Sequence, residues 1–408
     1  MDGTTAVAPQ GVLFRAPHRA MFLAGMLAVL LSFALWAWVL IARLGWWAMP
    51  QWVLPVSWVH ALLSLGAAFP FFIFGFLLTA MPRWQAVESP PRKAWLPGWR
   101  LLVAGWALML PGLWLPGLAL LALLVVLAGW CVLAAALWQV AFRSPAAPLH
   151  ARAAWFGVGG GVVALLAWLV VLGGGGAGWA RVAIEAGLWW FLLPVFVSVC
   201  HRMIPFFSSS IIPGYALWRP AWALHLLLAA AVVHGALAMA ALGQWSWLVD
   251  APAALVALML SVRWRPLAAQ RVRLLGMLHF GFAWLGVAWL LYAVQSALAL
   301  AGIHVFAHAP LHALAVGFFA SILLAMVSRV TLGHSGRPLL ADGPTWALFL
   351  VLQAVAVLRV GADLLPFLPW APAMAVAVAV GGWLAVFGVW ALRYLPIYLR
   401  PRSDGGEG

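Results

Sequence analysis

Long apolar stretches without a charged side chain recur along the chain, and they decide what it can fold into. Ala154–Leu172 and Leu311–Val327 hold no Asp, Glu, Lys or Arg. At about 1.5 Å rise per residue, such runs cross most of a bilayer's hydrocarbon, which takes roughly 20 residues. In hydrocarbon every backbone N–H and C=O must be paired within the protein, so only helices and closed barrels span it. Barrel strands alternate apolar and polar positions, whereas these runs are continuous, and the barrel is excluded. With 67% hydrophobic and only 7% charged residues, a water-soluble domain is excluded too. The expected fold is an all-α polytopic membrane protein.

About twelve spans are expected, near Met21–Ile41, Ser57–Ala80, Trp99–Pro111, Pro116–Val140, Ala154–Leu172, Val182–Arg202, Ala221–Leu242, Trp247–Val262, Leu274–Gly302, Leu311–Val327, Pro344–Leu364 and Pro372–Leu392. The third is the shortest. No connection is long enough for a soluble domain, so residues 1–408 read as one integral membrane domain, with short cytoplasmic tails at 1–20 and 393–408. Alternating these spans puts nineteen of the 22 Lys and Arg on one side; Arg43 and Arg181 fall on the other, and Arg359 lies within a span. Positive residues stay cytoplasmic, so both termini are expected inside. The net charge of +14 records this topology and does not imply nucleic acid. Arg15, His18 and Arg19 lead into a full span rather than a removable signal. Cys131 and Cys200 lie in apolar segments, so no disulfide framework is expected.

Smaller features add local expectations. Met203–Pro220 carries Phe, Ile and Trp and reads as a segment lying in the interface. Gly157 and Gly161 have the spacing that lets two helices approach closely. Belt anchoring accounts for most of the 29 Trp.

The chemistry rests on eleven histidines set against eight acids. The expected topology sorts the histidines by depth. His60, His304, His308 and His312 lie toward the outer face. His201, His225, His279 and His334 lie toward the inner face, and His234 is near mid-span. His18 and His150 read as solvated or headgroup-level side chains. Imidazole is the commonest metal ligand and an axial haem ligand, and clustering at one outer depth makes a metal site the favoured reading there. A single His alone more often donates to a nearby carbonyl. His201 beside Cys200 offers donors suited to copper(I). Arg359 is costly inside a span, about 2.5–3.5 kcal/mol on insertion scales; it is expected to pair with Asp363 four residues on or with an anionic cofactor group. No string of acids crosses the chain, which argues against proton pumping. Adjacent histidines in one span and a His-x-His are both missing, which argues against a respiratory haem–copper oxidase or nitric oxide reductase subunit.

Four sequence signatures carry a resemblance. They are Phe74-Gly-Phe-Leu-Leu-Thr79-Ala-Met-Pro82-Arg-Trp84; Arg202-Met-Ile-Pro205-Phe-Phe207; Leu278-His279-Phe-Gly-Phe-Ala-Trp284; and His312-Ala-Leu-Ala-Val-Gly317 followed by Ser328-Arg329-Val-Thr-Leu-Gly-His334-Ser-Gly-Arg337. In these the chain resembles the NnrS family of bacterial membrane proteins. The resemblance implies about a dozen spans in the bacterial inner membrane, bound haem b and copper, and a part in the response to nitric oxide. By motif match, His279, His312 and His334 carry over as cofactor histidines, with His60 beside them. Arg329, Arg337 and Arg359 are the cations available to a cofactor, and His201, His304 and His308 complete the candidate metal ligands. The expected function is binding, reducing or protecting against nitric oxide at metal centres, with an electron donor of unknown identity. The alternative is a transporter or chaperone of haem or copper.

Overall fold

The computed structural model describes residues 9–143, 148–364 and 371–406. Residues 1–8 and 407–408 of the two expected tails lie outside the described residues. All regular structure among those described is helical, and a helix stands at each of the twelve expected positions. They are α1 (Pro17–Arg43), α2 (Val56–Gln85), α3 (Arg92–Gly112), α4 (Pro116–Arg143), α5 (Pro148–Leu172), α6 (Ala177–Ile211), α7 (Ala221–Met239), α8 (Trp247–Arg263), α9 (Arg273–Leu300), α10 (Ala309–His334), α11 (Gly343–Leu364) and α12 (Ala371–Tyr398). Ten of these are long and apolar enough to cross a membrane. The other two are α3, which carries Arg92, Lys93 and Arg100 in its first turns, and α8, which is 17 residues long. Both pack along a longer neighbour, α3 on α4 and α8 on α9. Large apolar side chains stay exposed on the outside of the bundle, with Leu255 at 70%, Val262 at 72% and Leu392 at 78%. Water would not tolerate such a surface; lipid does.

Proline opens α1, α4 and α5, where its missing N–H would have been unpaired in any case. The helices reach into the expected tails: α1 starts at Pro17 and buries His18, Arg19 and Ala20, and α12 runs to Tyr398. The Arg19 guanidinium donates to the carbonyls of Tyr398 (3.3 Å) and Arg400 (2.9 Å). A cation thus satisfies the free carbonyls where the last helix ends, and the two ends of the chain are tied together.

Asp342 starts α11. Its carboxylate accepts the Thr345 amide at 3.0 Å and is paired with Arg393. Burial alone would raise the Asp342 carboxyl, but the Thr345 and Arg393 hydrogen bonds outweigh it and hold the group below the usual carboxylate range. Because its folded value is depressed, this contribution is present above the unfolded value and fades as pH falls through the folded one. Asp342→Ala is expected to cost about 0.5–2 kcal/mol, the usual size of a lost cap. A thermal unfolding midpoint in detergent equal to wild type would contradict that role.

The glycine stripe on α5 works differently from its spacing. A Cβ on Gly157 would meet Val195 of α6 at 2.8 Å, and one on Gly160 would lie 2.2 Å from the Trp190 carbonyl oxygen. Gly157 and Gly160 are therefore the pair facing α6. Gly161 faces α4 instead. Its missing side chain makes room for the Trp130 ring, whose indole N–H donates to the Val158 carbonyl at 3.0 Å.

Three spans change hydrogen-bond register midway. α2 makes a π-helical run at Ser64–Ala68, α6 at Ala186–Leu192 and α10 at Ala313–Ala320. In the first two a proline follows two residues later, Pro70 and Pro194. Proline brings no N–H for the carbonyl four residues back and its ring crowds that turn, so a wider turn there relieves both. No proline follows the third run, and nothing in the structure explains its register.

Candidate functional site

The three π-runs mark one end of the bundle. Each begins close after a polar residue: His60 precedes Ser64 by four positions, Glu185 directly precedes Ala186, and His312 directly precedes Ala313. π-turns occupy well under 1% of residues in general and collect at functional sites. Three of them beside three polar side chains, in an otherwise apolar bundle, single this end out.

His60 lies with its ring stacked on Trp36 at 4.2 Å, and its Nδ1 is 3.5 Å from the Ser64 hydroxyl. His312 donates from Nδ1 to the His308 carbonyl at 2.9 Å. That hydrogen bond fixes the tautomer and leaves Nε2 with a free lone pair. The His308 ring centroid lies 6.3 Å from that of His312. Of the expected outer group, His308 and His312 are thus neighbours at the start of α10, while His60 packs against Trp36 and Phe33. Arg359 donates to Asp363 at 2.8 Å, as the spacing of four predicted, and both side chains are largely buried. His304 stands apart from this group. It lines an adjoining cavity of about 870 Å³, together with Glu185, His234, Tyr292, Gln295 and Asp363.

The opposite end corrects several expectations. His18 is not solvated: it is 3% exposed, and its ring centroid lies 4.8 Å from that of His334. His18 Nδ1 is 3.4 Å from the Thr79 hydroxyl. His334 donates from Nδ1 to the Val330 carbonyl at 3.0 Å, and its Nε2 is buried without a partner. His150 is likewise buried, hydrogen-bonded through Nε2 to His201 Nδ1 at 3.0 Å. His201 Nε2 donates in turn to the Pro220 carbonyl at 3.2 Å. Both His201 nitrogens are thus engaged within the protein. His279 donates from Nε2 to the Ser208 hydroxyl at 3.0 Å, Ser208 having given its own proton to the Ile204 carbonyl. His225 is exposed. The inner histidines are therefore spread over separate places rather than gathered in one. Arg329 lies over the Phe207 ring at 3.9 Å, and one terminal nitrogen of Arg337 is buried without a partner.

The donor chemistry fits transition metals in part. His312 and His334 each present one imine nitrogen, with the tautomer set by a backbone carbonyl, which is how metal-ligating histidines are usually oriented. No group of three or more His, Cys, Asp or Glu side chains is arranged to hold an ion among the described residues. Among the described residues, the imidazole pairs from different helices are His18 with His334 and His150 with His201. A haem iron between two imidazoles needs ring centroids about 6 Å apart, from an iron–nitrogen distance near 2 Å on each side. The 4.8 Å between His18 and His334 is too short for that.

One arrangement was not foreseen from the sequence. His234 Nδ1 donates to Asp250 Oδ1 at 2.7 Å, and the Ser246 hydroxyl donates to Oδ2 at 2.6 Å. Asp250 is fully buried. The available signal was the acid itself, one of eight in the chain and placed in an apolar run, since a buried carboxylate needs a partner.

A family model described as NnrS protein matches residues 12–402. No curated protein matches the chain.

Proposed function

The chain belongs to the NnrS family, and on that premise we propose that it is a haem- and copper-binding membrane protein that takes up nitric oxide at metal centres buried among its helices. The observation that carries this reading is the outer cluster. Three spans interrupted by π-turns hold His60, Glu185 and His312 at one end, with His308 beside His312. In the proposed arrangement His60 and His312 are candidate ligands at this end, and His18 with His334 at the other. Arg359 at the outer end, and Arg329 and Arg337 at the other, are the cations available to the anionic edge of a haem. Ferrous haem and copper(I) both bind nitric oxide. The gas is small and apolar, so it reaches such sites through lipid without a polar channel.

The same reading places all twelve helices across the bacterial inner membrane, with both ends in the cytoplasm. The distribution of Lys and Arg supports it, as does the tie from Arg19 to the end of α12. The test is metal analysis and optical spectroscopy of the purified protein, before and after nitric oxide is added. Haem and copper in fixed ratio, with the haem absorption shifting on exposure to the gas, are expected. Protein that is folded and monodisperse yet free of both would overturn the proposal.

A further inference from the structure

We infer that His234 is an axial ligand of a metal-bearing planar macrocycle, of haem type, seated in the cavity bounded by α6, α7, α9 and the Ala301–His308 turn, and that Asp250 is its positioning residue. The inference rests on the haem-binding reading above and adds the place and the ligand.

Orientation comes first. His234 lines the cavity while its Nδ1 is held by Asp250, so Nε2 is the nitrogen left for a ligand. Both Asp250 oxygens accept a hydrogen bond, one from His234 and one from Ser246, and the first of these holds the imidazole. A carboxylate behind a histidine sets its tautomer, fixes its ring and raises its basicity as a ligand. Packing holds the ring as well. Trp189 stacks on it at 3.6 Å and Tyr292 meets it edge-on at 5.0 Å.

The class of ligand follows from size and donor count. The cavity measures about 870 Å³, within the range of organic cofactor sites, roughly 300–1,000 Å³. A bare ion needs far less space and three or four protein donors, and no three-donor group is arranged among the described residues. A macrocycle brings its own equatorial nitrogens and asks the protein for one or two axial ones. Trp189, Tyr292 and Phe306 give the flat apolar walls it needs.

The test uses the full-length protein, purified, with haem and copper content measured alongside the resonance Raman iron–histidine stretch of the ferrous form. Asp250→Asn is expected to keep the haem but shift the stretch to lower frequency and the midpoint potential upward, because an amide is a weaker acceptor than a carboxylate. His234→Ala is expected to lose this haem, keep its copper, and regain the haem spectrum when free imidazole is supplied. Should His234→Ala fail to fold, the Asp250→Asn stretch decides alone. Unchanged haem and an unchanged stretch in both variants would overturn the inference while leaving the haem-binding reading intact. Loss of copper instead of haem in His234→Ala would mean a bare-ion site and would also overturn it. Wild-type protein without haem would remove the reading it rests on.

Discussion

His312→Ala is expected to reduce the metal bound at the outer end by at least about tenfold while leaving membrane insertion and folding intact. The magnitude follows from losing a ligand outright, given that disturbing even the groups behind a ligand costs 10–100-fold in affinity. Insertion is unaffected because the span's apolar run continues unbroken from Ala313, and the substitution removes one local hydrogen bond to the His308 carbonyl. Alanine has high helix propensity, so the first turn of α10 survives. His60→Ala is expected to act in the same direction, since His60 stands beside the π-run of α2 as His312 does beside that of α10. Wild-type copper and haem content in both variants, measured per mole of monodisperse protein, would show that neither residue is a ligand.

Gly160→Val is expected to destabilise the folded protein by about 3 kcal/mol or more, the upper end for overpacking. Even a Cβ at this position would lie 2.2 Å from the Trp190 carbonyl oxygen. A neighbouring side chain can rotate away; a backbone carbonyl in the π-run of α6 cannot do so without displacing the run. The preceding residue supplies the control. A Cβ on Gly159 meets nothing within 4 Å, so Gly159→Ala is expected to be neutral or slightly stabilising, by up to about 1 kcal/mol from helix propensity. Equal thermal midpoints in detergent for Gly160→Val and wild type would mean that α5 and α6 are not held together by this approach.

The twelve helix positions were legible because a bilayer demands length and apolarity, and both are written directly in the chain. Where the signal is diluted, as by Arg92, Lys93 and Arg100 at the start of α3, the helix is present but falls short of the others in apolarity. The outer site was half legible. His304, His308 and His312 sit in one short segment and His60 follows Pro55, so their shared depth could be read. His304 nonetheless lines a cavity that the other three do not, a matter of local turn geometry. Pairings across helices were not legible. His18 meets His334 only because α1 packs beside the end of α10, across more than 300 residues of sequence, and no periodicity within either helix reports it. The π-turns were hidden for a different reason, since they alter backbone register without changing side-chain type. Pro70 and Pro194 were the one visible sign of them. For Gly157 and Gly161 the spacing correctly announced close approach but not with which neighbour, because α5 touches two helices at once.

The central claim is that imidazoles from separate helices converge on bound transition metals. X-ray absorption at the copper edge of the purified protein tests it most directly. The account predicts nitrogen scatterers at about 2.0 Å with the outer-shell pattern of two or more imidazoles, diminished in His312→Ala and His334→Ala. A copper-free protein, or copper ringed by sulfur or oxygen with no imidazole pattern, would contradict it.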